Sequence, residues 1–381
     1  MIYVGSNVAA EYALFLVRVL SGVSRNGPAI LVHALSDAQY RKGSSGGAAA
    51  RIWLRLRMYC EYPLRLLWAM LCAPKGSVFI VTSNTFFTPW LAGFFGWIRK
   101  QRVVHLLYDL YPEALLVARG TPLPSPPQPL RLGVLEHAIT LLMRSTFKRA
   151  EATVFIGERL KSYAEARYGA TQNAAVIPVG SDASLFSSQP PDELPEGNWT
   201  ILYSGQLGHM HDWQTLLEAW RRDMCPGYRF LLRGGGAGMR ALTEAVKAAS
   251  PLRAEVQLGG SQATGSWVET LEAAPIGLIT LRPGAEAVVF PSKTFSALMA
   301  GQAILAIAPE ASDLADLVNR HQCGWVIAPG DTASLLDLLR RLRANPAEVL
   351  QARRNAWHAG REHFAAGALE ALWRPVVEPR V

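Results

Sequence analysis

Short apolar runs recur along the chain, each followed by a longer stretch whose apolar residues repeat at helical spacing. In the first half the runs stand at Ile2–Val4, Ala29–Val32, Val78–Val81, Val103–Leu107 and Thr153–Ile156. In the second they stand at Trp199–Ser204, Tyr228–Arg233, around Val256, and at Ile276–Leu281, Ala303–Ile307 and Trp325–Ile327. Strands apolar on both faces that alternate with helices predict parallel sheets covered on both sides. The chain reads as α/β: two doubly wound, Rossmann-like domains facing each other across a cleft, with ligands at the carboxyl ends of the strands.

One segment tests this pattern. Ser77–Ile98 holds 22 residues without a charge, long enough to suggest a membrane span. Its interior predicts otherwise: a β-rich run to Thr82, polar Ser83-Asn84-Thr85, then Pro89 at the start of a helix. That helix is aromatic and runs into Arg99-Lys-Gln-Arg102. It fits either a core element with a solvated end or a helix resting on an anionic bilayer. A second basic-aromatic stretch begins at Arg51; Arg51, Arg55 and Arg65 share a helical face with Trp53 and Leu54 elsewhere, and Pro63 is expected to kink the helix.

A length of 381 residues suits two domains. The charge of +8, carried by 31 Arg and 7 Lys, points to an anionic partner. It is unevenly placed: residues 1–185 carry a net +10 and the rest −2. The Pro-rich stretch Ser187–Gly197 falls near that change and marks the junction, giving domains 1–186 and 187–355, with 356–381 returning to the first domain. A second Pro-rich stretch, Thr121–Pro129, reads as a loop within domain one. Cys60, Cys72, Cys225 and Cys323 form no CxxC pair and read as buried thiols of a reducing compartment. Glu11 interrupts the first apolar stretch, against a signal peptide. Basic residues mixed with apolar helices, and no recognition module, argue against nucleic acid.

Three loops at strand ends have phosphate-binding character. Tyr203-Ser-Gly-Gln-Leu-Gly-His-Met-His-Asp212 offers Gly205 and Gly208 for close backbone approach. Arg233-Gly-Gly-Gly-Ala-Gly238 sets a guanidinium beside flexible backbone but lacks the dinucleotide glycine spacing. Pro291-Ser-Lys-Thr places Lys293 in the first turn of a helix, where a cation opposes the helix dipole unless it faces a bound anion. There is no P-loop, and no Asp-x-Asp pair to hold a divalent ion. His209 and His211 have no third ligand, so no metal is expected. In the first half, Tyr108, Asp109 and Glu113 follow a strand end, where Asp109 either caps a turn or serves a polar substrate.

These residues resemble the retaining glycosyltransferases of family 4, two-domain enzymes of GT-B fold, over nearly the whole chain. Asp109-Leu-Tyr-Pro-Glu113 resembles a stretch of bacterial members that build surface polysaccharides, and Val176–Gly180 the strand entering the interdomain linker. Tyr203–Gly208 is similar to the donor-phosphate loop, and Pro291-Ser-Lys293 with Ala300-Gly301 to the donor-binding helix of a Pro-Ser-Lys subgroup. Gly324–Asp331 is similar to the late Gly-x4-Pro-Gly-Asp segment. The family's two glutamates spaced by seven residues would fall on Val288 and Ser296, with Glu286 two residues early. Its diphosphate-clasping Arg and Lys would fall on Gln206 and His211, and its histidine before Asp109 on Tyr108.

The resemblance implies a metal-independent transfer of a hexosyl or N-acetylhexosaminyl group, without a cofactor, from a nucleotide-sugar substrate, a UDP-sugar being favoured. The acceptor would be a polyprenyl-diphosphate-linked glycan. Catalytic roles would fall on Tyr108, Asp109 and Glu113. Donor contacts would fall on Gly205, Gln206, Gly208, His211, Arg233, Gly235, Ser261, Gln262, Glu286, Ser292, Lys293 and Ser296. The enzyme would work in the cytoplasm, peripherally on the inner face of the cell membrane through its N-terminal basic-aromatic helices, with its oligomeric state open. The alternatives are a nucleotide-sugar 2-epimerase of the same fold, or a non-catalytic sugar-nucleotide-binding protein lacking the glutamates.

Overall fold

A computed structural model describes residues 1–121, 123, 133–171 and 173–378. They fall into two compact units. The first contains a six-stranded, all-parallel sheet: β1 (Ile2–Gly5), β2 (Ile30–Val32), β3 (Val78–Thr82), β4 (Arg102–Leu107), β5 (Ala152–Phe155) and β6 (Ala174–Val176). Its order is β2-β1-β3-β4-β5-β6. The second contains β7 (Trp199–Gln206), β8 (Tyr228–Gly235), β9 (Val256–Gly259), β10 (Ile276–Thr280), β11 (Ala303–Ile307) and β12 (Gly324–Ile327), in the order β9-β8-β7-β10-β11-β12. Central strands such as β3, β10 and β11 are buried throughout, as continuous apolar runs require when helices cover both faces of a sheet.

In the first unit the chain steps from β1 to β2, reverses to β3, and then runs one way to β6. Right-handed crossovers therefore place α1 (Glu11–Val23) on one face of the sheet. The helices α2 (Ala48–Leu56), α3 (Tyr62–Cys72), α4 (Thr88–Arg99) and α5 (Val134–Arg149) lie on the other. The uncharged segment from Ser77 resolves into β3, a turn, and α4 with Pro89 in its first turn, and no described helix is long and apolar enough to cross a membrane.

Pro63 is accommodated by a widened π turn at Arg57–Glu61 that joins α2 to α3, so that the helical run continues from Ala48 to Cys72. A π turn adds a residue per turn and rotates the helix beyond it. Arg65 thus comes to line the same groove as Trp53, which a uniform helix would place apart. Cys60 and Cys72 are exposed on this run; only Cys225 and Cys323 are the buried thiols expected.

The units divide at Gly180, ahead of the Pro-rich stretch that looks like a linker in sequence. Ser187–Glu193 is bound instead to α9 (Pro346–His363) of the second unit, in which α6 (Gln214–Arg222), α7 (Thr264–Ala273) and α8 (Lys293–Met299) precede it. Arg353 donates to the Glu193 carbonyl at 2.7 Å, Arg354 to that of Pro191 at 3.1 Å, and Trp357 and Arg361 to that of Ser187. Proline leaves carbonyls without a neighbouring N–H, and these side chains satisfy them. The return to the first unit begins at Ala366, ten residues later than the sequence suggests. There α10 (Ala366–Val377) packs on α1, with Glu370 against Gly22. Most of the Thr121–Pro129 stretch, and the chain beyond Glu378, lie outside the described residues.

β7 and β8 run side by side with Gly205 opposite Gly234. Gly234 has φ +147°, and a Cβ there would lie 1.8 Å from the Gly205 carbonyl oxygen. Gly234→Ala should therefore lower unfolding free energy by about 3 kcal/mol or more, read by denaturant titration. Gly265→Ala, in α7 with open space around it, should be neutral or slightly stabilising.

Candidate functional site

The strand order of the second sheet reverses between β7 and β10, and the loops that leave these two strands are tied together. The Arg282 N–H donates to the Met210 carbonyl at 2.9 Å, and the Arg282 guanidinium to that of His209. In a parallel sheet this is where a crevice opens for ligand.

Lys293 stands at the start of α8 and turns its ammonium into this region. Its Nζ lies 3.2 Å from His211 Nε2 and 4.9 Å from the centre of the Tyr203 ring. His211 in turn places Nδ1 2.6 Å from the Thr280 carbonyl at the end of β10. A carbonyl only accepts, so Nδ1 carries the proton and Nε2 is left to accept from the ammonium. Burial, reinforced by the lysine charge, pushes the imidazole pKa down to about 3, which keeps it neutral. Burial pushes Lys293 down to about 7. Among the described residues no carboxylate pairs with it. Gly205, at φ +135°, makes room for this arrangement: a Cβ there would meet the Lys293 stem at 3.2 Å. The result is an enclosed cation held by a neutral imidazole and an aromatic face, and supplied with no anion by the protein.

The structure thus brings together Gly205, His211 and Lys293 from the sequence-predicted set. It adds as supports Tyr203, the residue that opens the glycine loop, and Thr280, which no motif marks. Gln206 is exposed beside Gly235, and Gly208 has open space around its Cα. Arg233, at the end of β8, is accommodated by Gly259 on β9, where a Cβ would collide with the guanidinium. Its buried Nε has no hydrogen-bond partner among the described residues. Ser261 is exposed and Gln262 bonds Thr270 at 2.8 Å; both follow β9, a full strand beyond β8 from the lysine. Ser292 is exposed, while Ser296 donates to the Lys293 carbonyl within its own helix at 3.0 Å. Val288 is fully buried, and Glu286 keeps one buried carboxylate oxygen without a partner among the described residues.

A second cluster belongs to the first unit. Ser83, after β3, accepts hydrogen bonds from the backbone N–H groups of Tyr108 and Asp109 at 3.0 and 3.1 Å, fixing the turn that follows β4. Asn84 donates to the Tyr12 hydroxyl at 2.8 Å, and the Tyr12 and Tyr108 rings meet edge-on at 5.3 Å. Burial pushes the Asp109 carboxyl up to about 6 and Tyr12 up to about 12. The Asp109 carboxylate accepts no hydrogen bond among the described residues, so it is free to bond a ligand hydroxyl.

Glu113 has a different place. It is fully buried, both oxygens accept from the Tyr168 hydroxyl at 2.6 and 2.7 Å, and Arg167 stands 3.4 Å away. This carboxylate braces the helix Glu158–Tyr168 and offers no open face. Spacing alone set it beside Asp109; the partners that claim it lie more than fifty residues on.

No protein-family model and no curated protein matches the sequence. The fold is similar to that of Anabaena HepE, solved in complex with UDP and glucose, at 12% identity and TM-score 0.70 over 99% of this chain and 98% of that one. It is similar also to sucrose-phosphate synthase of Thermosynechococcus elongatus, at 15% identity and TM-score 0.68 over 98% and 97%. WaaG, a glycosyltransferase involved in lipopolysaccharide biosynthesis, matches at 14% identity and TM-score 0.63 over 98% and 99%. With two parallel six-stranded sheets and these likenesses along its length, the chain has the GT-B fold.

Proposed function

We propose that this protein is a retaining glycosyltransferase of the Pro-Ser-Lys branch of family 4. It would take a hexosyl or N-acetylhexosaminyl group from a UDP-sugar to a polyprenyl-diphosphate-linked glycan at the inner face of the cell membrane, in surface polysaccharide synthesis. The observation that carries this reading is Lys293: a half-buried ammonium beside glycine-lined backbone at the strand-order reversal, with no acid among the described residues to neutralise it. A nucleoside diphosphate supplies that missing charge. Its similarity to HepE, whose structure contains UDP and glucose, supports the same ligand class.

In this reading Lys293 stabilises the diphosphate as negative charge develops on it during departure of the sugar, where a preorganised cation contributes most. His211 keeps the ammonium aimed while adding no charge of its own. No metal is required for this step. Asp109, with its open carboxylate and raised pKa, orients a hydroxyl of the acceptor or the transferred sugar. The leaving phosphate itself assists the incoming hydroxyl, which gives retention without a protein nucleophile.

A thermal-shift screen with UDP-, GDP-, dTDP- and CMP-sugars tests the donor assignment. The UDP-sugars should raise Tm, and a flat response to all four would remove the donor site. Affinity for UDP-glucose should depend on pH through Lys293. Below about pH 7 the free lysine is already charged, so binding needs no proton. Above it, binding must take up a proton, and Kd should weaken by up to about tenfold per pH unit. Lys293→Met should bind more weakly and lose that slope.

Asp109→Asn should lower kcat by about a hundredfold or more while leaving the thermal shift with UDP within error of wild type. Isomerised donor formed without any acceptor would instead establish the epimerase.

A further inference from the structure

The second unit contains a cavity that the proposed reaction does not use. It has a volume of about 340 Å³ and lies where β8 begins, between the turn Asp223–Tyr228 and the helix Thr332–Ala344. Trp199, which opens the neighbouring β7, stands beside its rim, whereas Gly205 and the Lys293 stem lie six residues further along that strand, roughly 20 Å away. The cavity therefore opens at the end of the sheet opposite the crevice.

Its walls are apolar, and the polar groups among them are already engaged. Pro226, Tyr228, Leu336, Leu339 and Ala344 line it, and Tyr228, Leu336 and Leu339 belong to the core of the unit. The Tyr228 hydroxyl donates to the Leu339 carbonyl at 2.8 Å, which leaves the ring as its contribution to the wall. Cys225 completes the lining in a left-handed backbone conformation, φ +47°, with its N–H bonded to Asp223 Oδ1 at 2.8 Å. Burial pushes its thiol up to about 12, so the sulfur stays neutral and behaves as a small hydrophobe.

The rim carries the charge. Arg340 is neutralised there, donating to Asp223 and to Asp337, each at 2.7 Å. Arg343 has no acid to pair with among the described residues. Its guanidinium lies over the Trp199 ring at 4.4 Å and donates to the Gly197 carbonyl at 2.8 Å. Gly227 leaves room for it, since a Cβ there would lie 2.5 Å from Nε. A guanidinium has five N–H donors, so Arg343 keeps the capacity to bind an anion at the mouth.

An apolar slot with one uncompensated cation at its edge selects a ligand of the same construction, a hydrocarbon body with a single anionic head. A nucleotide or a sugar phosphate would leave polar atoms unpaired against these walls, and an ammonium would meet Arg343. A cavity of about 150 Å³ already admits benzene, so this one suits a chain of roughly eight carbons. We propose that it is a binding site for a medium-chain carboxylate, with the tail against Tyr228, Leu336 and Leu339 and the head on Arg343. No residue of the Lys293 or Asp109 cluster takes part, so this site stands or falls apart from the sugar-transfer reading.

Calorimetric titration of the full chain with sodium octanoate tests it. Binding should saturate at one molecule per chain, with octanol and octylammonium at least about tenfold weaker. Affinity should rise about threefold to fourfold per methylene from butyrate to octanoate. Arg343→Gln should bring octanoate down to the affinity of octanol. Ala344→Trp sets a large side chain on the exposed rim and should weaken octanoate at least about tenfold, while its Tm and its thermal shift with UDP match wild type. Failure of octanoate to saturate, equal binding of the three head groups, an affinity that does not grow with chain length, or wild-type binding by Ala344→Trp would each overturn the proposal.

Discussion

The proposed function depends on one half-buried ammonium. Lys293 places an ammonium against His211 and Tyr203, and the described residues supply no carboxylate to pair with it. Burying a cation without a counterion is unfavourable and is tolerated where something bound from outside completes the site. Every feature around it serves that arrangement. Gly205 clears space for the lysine stem, the Thr280 carbonyl fixes the imidazole tautomer, and the loop containing His211 is pinned to the loop after β10 by Arg282.

The same cation explains how this sequence differs from the family it resembles. There the diphosphate is clasped by an Arg and a Lys on the loop after the first strand of the donor domain. Here those positions are Gln206 and His211. In this chain the positive charge sits instead on α8, and the residue at the lysine position has become its support. Position 288, where the family has a glutamate, is fully buried and could not hold an ionised carboxylate without a partner. The neutral imidazole and the displaced lysine form one unit, and a change in either alters the other.

Much of the fold was legible in the sequence because parallel sheets leave a strong local record. Buried strands are uninterrupted apolar runs, and eleven of the twelve strands described in the two six-stranded sheets fall on such runs, whereas β6, Ala-Ala-Val, is too short and too small to stand out. The Pro-rich stretch after Phe186 misled for a physical reason. Its composition is that of a linker, but what holds it to the second unit is a row of donors on a helix some 160 residues further on. The site was legible at Gly205, His211 and Lys293, where loop motifs mark strand ends. It was not legible at Glu113, since its partners Arg167 and Tyr168 come together with it only through the tertiary fold. Thr280 escaped notice because it reads as an ordinary strand residue and acts through its backbone carbonyl, while Tyr203 opens the glycine loop but acts through a ring face that the motif does not mark.

In the proposed function Lys293, its pKa lowered by burial to about 7, takes up a proton when a sugar nucleotide binds. Calorimetric titration of UDP-glucose at pH 8, in two buffers of different ionisation enthalpy, counts protons exchanged on binding. An uptake approaching one proton per bound nucleotide is expected in the wild type and none in Lys293→Met. Binding without proton uptake in the wild type, or the same uptake in both proteins, would contradict it.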